Sequence, residues 1–492
     1  MSGAHAAADP VALHAHGLRR ILTNAASLFL AYVLPRLLTI GAVVVAARVL
    51  GTNGFGQYGT ASAYAVIVSI VATLGMQPLL IREMARDPAR AGDWLRAAHW
   101  VKAGSNALML LMLVGAGRWI FAYPPDVMRA ALLLGVAYAI AAWAENLGAW
   151  YQSVERMGVW MQASALAGLI TGGLGVAAVV VTRSLEWFCA AGIAGQLAGL
   201  AWLVARMPRL PVAAGVRTPV RPLLAALAPF AAAFVALTLH SKIDVLMLER
   251  YWPAAEVGVY SAAHKFIDIV QALAIVGAAA VYPRLSRASA PGKAGARLIE
   301  LTLLAGVLTS GALFLARDGL VYFLFGADYG GAVLPTALLA AGVAPLAINI
   351  VGGYVLAAAG HMKPVAILYT VAVLLKVALN AWLVPAYGAS GTAGAMMVTE
   401  TVLAAGMLVL LQSRAGALPS RRAVLSAVLA VAVCGGLSAV QGSPTIGLVS
   451  ATVFVFAAIV LFSVSGGVPR ADRQLLMAAL RFPPRAAAER GP

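Results

Sequence analysis

Charge is what this chain has least of. Only 11% of its 492 residues are Asp, Glu, Lys or Arg, and the acidic ones number 18 against 35 basic. Cysteine occurs twice, at Cys189 and Cys434, which leaves neither a disulfide framework nor a metal-ligand spacing. There is no HExxH pair, no Walker-type glycine-rich phosphate loop and no nucleophile elbow in a suitable context. No basic stripe is interleaved with exposed aromatics as single-strand nucleic-acid binders require. Long polar segments are also missing, so a soluble catalytic domain has no room. The residues point to neither an enzyme, nor a cofactor, nor a nucleic-acid partner.

Apolar residues are abundant instead, at 62% of the chain with a mean hydropathy of +0.89. A soluble domain of this size cannot bury so much apolar surface, so lipid must be its solvent. A membrane helix needs about 20 apolar residues. Fourteen such runs are expected, at 21–47, 57–81, 97–117, 129–150, 159–182, 187–205, 223–248, 257–282, 298–316, 331–358, 364–384, 391–411, 423–441 and 445–466. The run after Arg19-Arg20 is too long for the core of a signal peptide and is expected to remain as the first span.

Basic residues are unevenly spread. If the N-terminus is cytoplasmic, the inner loops hold Arg82, Arg86, Arg90 and Arg96, then Arg206, Arg209, Arg217 and Arg221, then Arg284, Arg287, Lys293 and Arg297. The outer loops are sparse. This is the positive-inside signature, and it puts both termini in the cytoplasm. Much of the +17 net charge therefore serves topology and contact with anionic lipid.

An internal repeat divides the chain. A shift of 202 positions brings Arg48 onto Arg250, Gly56 onto Gly258, Tyr58 onto Tyr260 and Arg82 onto Arg284. The expected organisation is an all-α polytopic membrane protein of two six-helix lobes followed by a helical pair. In residues this gives an N-terminal segment 1–20, a lobe 21–207, a linker 208–222, a second lobe 223–412, the pair 413–468 and a basic tail 469–492. Parallel repeats of this kind are found in transporters that work by alternating access, with the substrate between the halves.

Two charged clusters interrupt the apolar runs, His240-Ser-Lys242-Ile-Asp244 and His264-Lys265-Phe-Ile-Asp268. An ionisable group at the centre of a membrane helix costs roughly 2.5–3.5 kcal/mol on insertion scales, so these groups are expected to line a polar cavity or to pair. His264 and Asp268 share a helix face at i, i+4, and Lys265 lies beside Asp268. Lys376 and Glu400 each lie about 12 residues from the middle of the link between the eleventh and twelfth spans, so they can meet across it. Glu145 and Asn146 sit near the inner end of the fourth span. Asp244, Asp268 and Glu400 are the acids in the spans that would serve as proton or sodium carriers. Pro35, Pro229 and Pro345 fall inside spans and permit kinks. Gly172-Gly173 and Gly352-Gly353 read as close-packing contacts.

The order and spacing of several short segments carry a family resemblance. They include Thr23-Asn24 to Ser27, Arg36, Arg48-Val-Leu-Gly51, Gly56-Gln-Tyr58-Gly59, Ala228-Pro229-Phe230, Lys242-Ile-Asp244, Tyr282-Pro283-Arg284 and Asn380-Ala-Trp-Leu-Val-Pro385. Over about 20–412 the chain resembles the Wzx-type polysaccharide flippases of the MATE-like superfamily, also called MOP. The resemblance implies a fourteen-helix bacterial inner-membrane transporter. Its cargo would be an undecaprenyl-diphosphate-linked oligosaccharide, moved from the cytoplasmic to the periplasmic leaflet, with polysaccharide polymerase machinery as partner. In that light Arg36, Lys242, Lys265 and Lys376 become cations for a diphosphate. Asp244, Asp268, Glu400, His240 and His264 become ion-coupling or ion-pairing groups. An internal Lys265–Asp268 pair, a Lys376–Glu400 salt bridge and snorkelling of Lys242 remain open beside this. Two related functions also remain, a flippase for the peptidoglycan lipid precursor and a MATE-type multidrug or cation exporter. The exporter fits an acidic, aromatic cavity better than these cations.

Overall fold

The computed structural model describes residues 10–73, 75–208, 220–287, 291–439 and 443–464; within these, the side chains of 10–37, 220–234, 279–280, 283–284, 286–287, 291 and 463–464 lie outside the description. Pro35, Arg36 and Pro229 thus fall outside the described side chains, as do Arg221, Arg284 and Arg287. The N-terminal segment to residue 9, most of the 208–222 linker and the tail from 469 lie outside the described residues.

Among the described residues there is no strand. Helices follow one another in the order α1 (Pro10–Val68), α2 (Ile70–Thr73), α3 (Met76–Arg86), α4 (Ala91–Gly115), α5 (Pro125–Ser153), α6 (Met157–Thr182), α7 (Leu185–Arg206), α8 (Val220–Tyr251), α9 (Ala254–Arg287), α10 (Pro291–Phe325), α11 (Val333–Ala341), α12 (Val343–Ala358), α13 (Met362–Ala415), α14 (Arg421–Ser438) and α15 (Pro444–Val464). In lipid every backbone N–H and C=O must find its partner within the protein, and helices meet that demand locally. Where helices end, side chains and tight turns take over. Ser420 Oγ accepts from Ala423 N at 3.3 Å to cap α14. At the end of α13, Ala417 N donates to Leu411 O and Gly416 N to Gln412 O, a Schellman closure around Gly416 at φ 61°.

The fold class read from the sequence holds: the chain is an all-α, multi-pass membrane protein. Among the described residues, ten helices are long and apolar enough to cross a membrane, or eleven if the bent pair α11–α12 counts as one span. That stands beside the fourteen runs expected from hydropathy. Two of the ten, Leu38–Arg86 and Met362–Ala415, run for 49 and 54 residues. Each joins two helices across a glycine, Gly51 (φ 68°, ψ −178°) and Gly388 (φ 53°, ψ −129°). A residue with a Cβ rarely adopts either conformation.

Two compact units divide the chain between Leu246 and Met247, inside α8. In the first unit α6 and α7 pack most closely, because Gly195 and Gly199 present bare backbone to α6. A Cβ on Gly195 would lie 2.5 Å from Ala167 O, and one on Gly199 3.0 Å from Ala163 O. One end of this unit is closed by a core of Met76, Leu79, Leu80, Leu95, Trp150, Tyr151 and Leu203, with Trp94, Trp160, Trp202 and Met207 packed against it. The Tyr151 hydroxyl donates to Leu203 O at 2.9 Å there. Cys189 is buried in α7.

In the second unit α10 is central. Its Leu304, Val307 and Leu315 pack with Ala427, Ala430, Cys434, Phe454 and Ala458 of α14 and α15. A second core joins Ala278, Ile299, Val355, Leu356, Met407 and Leu411. The α11–α12 bend is 45°. Pro345 lies in the first turn of α12 and has no N–H to give Ala341, the last residue of α11, so the hydrogen-bond ladder stops there.

Some local expectations change. The expected second span is broken, with α2 ending at Thr73 and α3 beginning after Gly75 at φ 62°. Of the two glycine pairs only the first member of each is a close contact. A Cβ on Gly172 would meet Leu38 O at 3.2 Å and one on Gly352 Met407 Cγ at 2.7 Å, whereas Gly173 and Gly353 face nothing within 4 Å.

Candidate functional site

The second charged cluster is compact on α9. Lys265 Nζ lies 2.6 Å from Asp268 Oδ2, and His264 Nδ1 lies 3.3 Å from Asp268 Oδ1. Both contacts follow from helical spacing, i+3 and i+4, so one carboxylate is held between a lysine and an imidazole on one face. The Lys265–Asp268 contact is thus intrahelical. The Tyr260 ring stands 5.7 Å from that of His264, and its hydroxyl reaches Met396 Sδ at 3.8 Å. Lys265 and Asp268 keep about a fifth to a quarter of their side chains exposed, at 21% and 24%, so the pair faces space as well as protein.

The first cluster lies on α8, where His240 and Asp244 are buried and Lys242 is partly exposed. His240 and Asp244 share a face, one turn apart, and Lys242 points elsewhere. Arg36, from α1, has its side chain outside the described residues.

Lys376 and Glu400 lie on α13, one on each side of the Gly388 break and twelve residues from it, and are only 1% and 2% exposed. Asn349 on α12 donates from Nδ2 to Glu400 Oε2 at 2.8 Å and to Glu400 O at 3.0 Å. Asn380 Nδ2 donates to Lys376 O at 3.0 Å. These amides orient the acid and tie the lysine's own helix turn. A charge-assisted bond such as Asn349–Glu400 is worth more where water is scarce.

The Gly388 break has its own clamp. Glu256 Oε1 accepts from Ala389 N at 2.9 Å, and Trp252 Nε1 donates to Val384 O at 2.8 Å. Glu256 therefore supplies an acceptor to an N–H that the break has freed, and Trp252 takes up a carbonyl on the other side.

A further set lies in the first unit, of which the sequence singled out Glu145 and Asn146 but not Lys102 or Asn106. Lys102 on α4 is 1% exposed, and its Nζ donates to Ala72 O at 2.8 Å. Ala72 belongs to α2, just before the break, so the lysine satisfies a carbonyl the broken helix has released. Glu145 on α5 lies close enough to interact electrostatically with that ammonium. Asn106 Nδ2 donates to Ala139 O at 3.2 Å, while the buried Asn106 Oδ1 and Asn146 Nδ2 have no hydrogen-bond partner among the described residues. The sequence held one signal for Lys102: a lysine in the third apolar run, with Gly75 marking a breakable neighbour.

Many apolar helices with paired and hydrogen-bonded charges inside them, in two units, mark a multi-pass membrane protein. The model of one family, described as polysaccharide biosynthesis protein, matches residues 21–289, more than half of the chain. The chain belongs to that family. No curated protein matches it in sequence. Among solved structures it is similar to the lipid II flippase MurJ in an inward closed conformation, at 12% identity and a TM-score of 0.72, covering 91% of this chain and 99% of that one. It is similar also to a multidrug resistance MATE family transporter of the MOP superfamily in an inward-facing conformation, at 13% identity and a TM-score of 0.61, covering 78% and 95%. A MOP superfamily transporter from Pyrococcus furiosus, noted for the reverse polarity of its binding pocket, is similar at 15% identity and a TM-score of 0.54, covering 79% and 96%.

Proposed function

We propose that this chain is a flippase that moves an undecaprenyl-diphosphate-linked oligosaccharide from the cytoplasmic to the periplasmic leaflet of a bacterial inner membrane. Both termini are cytoplasmic, and the six-helix lobes 21–207 and 223–412 alternate the access of the headgroup. The observation that carries the reading is the set of lysines held inside apolar helices of a member of this family: Lys242, Lys265 and the buried Lys376. Together with Arg36 they offer cations to a diphosphate. Asp244, Asp268 and Glu400, with His240 and His264, tune that charge and couple the cycle to an ion. The polyprenyl tail stays in lipid, and a polysaccharide polymerase receives the product.

The test is deletion and complementation. Loss of the gene removes surface polysaccharide and the wild-type gene restores it. Arg36→Ala and Lys265→Ala, expressed at normal levels, each lower the restored amount several-fold. Full complementation by both variants overturns the cationic-cavity reading. Likeness to a lipid II flippase over 91% of the chain favours one second reading, transport of the peptidoglycan precursor. In that case the gene rescues a strain depleted of its lipid II flippase, and the polysaccharide phenotype is absent.

A further inference from the structure

A groove of about 460 Å³ opens on the first unit, and none of the residues of the charged clusters on α8, α9 and α13 lines it. Its floor is one stripe of α4, including Gly92, Arg96, His99 and Trp100; Trp143 of α5 and Met207, just after α7, form the walls. The stripe follows helical periodicity from residue 92 to residue 103, which is roughly 16 Å at about 1.5 Å per residue. One end lies at the helix termini and the other well inside the apolar part of α4. The groove is long, narrow and different at its two ends.

At the terminal end stands Arg96. Its Nη2 lies 3.1 Å from Asp93 Oδ1, and Asp93 is buried, so the guanidinium is held against the groove while 41% of its side chain stays exposed. Arg206, the residue before Met207, lies flat on Trp202 with Cζ 3.6 Å from the ring centroid and adds a second cation at this end. His99 stacks on Trp143 with ring centroids 4.9 Å apart, which fixes the middle of the groove. Trp100 is 68% exposed along the apolar stretch. This end of the unit also carries Trp94, Trp150, Trp160 and Trp202, so six of the chain's ten tryptophans gather here. Tryptophan and arginine concentrate where helices leave the hydrocarbon for the headgroup layer.

We propose that this groove binds one anionic phospholipid of the surrounding bilayer, with its phosphate at Arg96 and an acyl chain along His99, Trp100 and Ala103. Basic pockets between membrane helices bind anionic headgroups by this chemistry. The volume lies at the small end of ligand sites, which suits a phosphodiester headgroup and part of one chain and leaves no room for an oligosaccharide. The proposal does not depend on the nature of the transported glycan.

The test uses the purified full-length chain in detergent, titrated with phosphatidylglycerol or with phosphatidylcholine of the same chain length. Retained lipid is read by native mass spectrometry. Phosphatidylglycerol is expected to be retained about fivefold more tightly, the effect of about one basic contact at a membrane surface. Arg96→Gln abolishes the preference. Because that change leaves Asp93 buried without its partner, the double variant Asp93→Asn, Arg96→Gln is tested beside it and also loses the preference. Trp100→Ala, at an exposed position, lowers retention of both lipids. Equal retention of the two lipids by the wild type overturns the proposal, as does an unchanged preference in the double variant. Saturable binding of glycerol phosphate at the same concentration assigns the groove to a free phosphate instead. Displacement of phosphatidylglycerol by an equal amount of undecaprenyl phosphate assigns it to the transported lipid; each of these two results also overturns the proposal.

Discussion

The two units each break a long helix at a glycine of positive φ, but they finish the break differently. At Gly51 in the first unit an added Cβ would meet nothing within 4 Å; at Gly388 in the second it would meet Glu256 Oε1 at 2.7 Å. Gly388 is also bracketed by the Trp252 and Glu256 hydrogen bonds to Val384 and Ala389. The first unit has a polar tie at a different break, where Lys102 donates to Ala72 O before the α2–α3 interruption. The lesson is that a broken membrane helix is cheap only when something satisfies the freed backbone groups. One unit does this with a buried cation, the other with a carboxylate and an indole.

The largest test of this contrast is Lys102→Met. It leaves Ala72 O with only the long 3.5 Å bond from Ser105 Oγ and removes the cation near Glu145, and removing one partner of a buried charged set costs about 3–5 kcal/mol. A large fall in the thermal midpoint, followed by tryptophan fluorescence in detergent, is expected, with partial recovery when Glu145→Gln is added. No fall would show that the α2 break needs no cation. Next comes Gly388→Ala, at about 3 kcal/mol, since backbone strain of about 1–3 kcal/mol adds to the collision with Glu256. Gly51→Ala carries the strain alone and should cost about 2 kcal/mol. If the two glycine variants lose equal stability, the collision with Glu256 adds nothing at Gly388 and the contrast fails. The smallest effect belongs to Glu256→Gln, which keeps an acceptor for Ala389 N but loses its charge, at about 1 kcal/mol. Combined with Gly388→Ala it gives a double-mutant cycle. A coupling near zero would mean that Glu256 does not pin the break.

Much of the fold was legible because lipid imposes a simple pattern. The expected spans 159–182 and 187–205 correspond to α6, Met157–Thr182, and α7, Leu185–Arg206, and the expected C-terminal pair to α14 and α15. Long apolar runs ending at short polar links leave few alternatives. The breaks were less legible. Hydropathy does not register a single glycine, so the second span read as continuous through Gly75, and Gly51 read as part of a loop between helices. Of the candidate residues, spacing alone placed His264, Lys265 and Asp268 on one face, because i+3 and i+4 neighbours meet in any helix. Spacing also set Lys376 and Glu400 at equal distances from their link. The partners of Glu400 and Lys102 were beyond its reach. Asn349 is 51 residues from Glu400 and Ala72 is 30 from Lys102, so only packing brings them together.

Sparse cysteine has a practical consequence. Cys189 and Cys434 are both buried, and Cys434 Sγ lies 3.8 Å from Gly311 O inside the α10–α14 packing. A charged maleimide arriving from water finds neither thiol in the folded protein. The native sequence is therefore already a quiet background for cysteine scanning. A single thiol introduced at the Arg96 end of α4, and another at the exposed Asp126 in the first turn of α5, would report which side of the membrane each helix end occupies in intact cells.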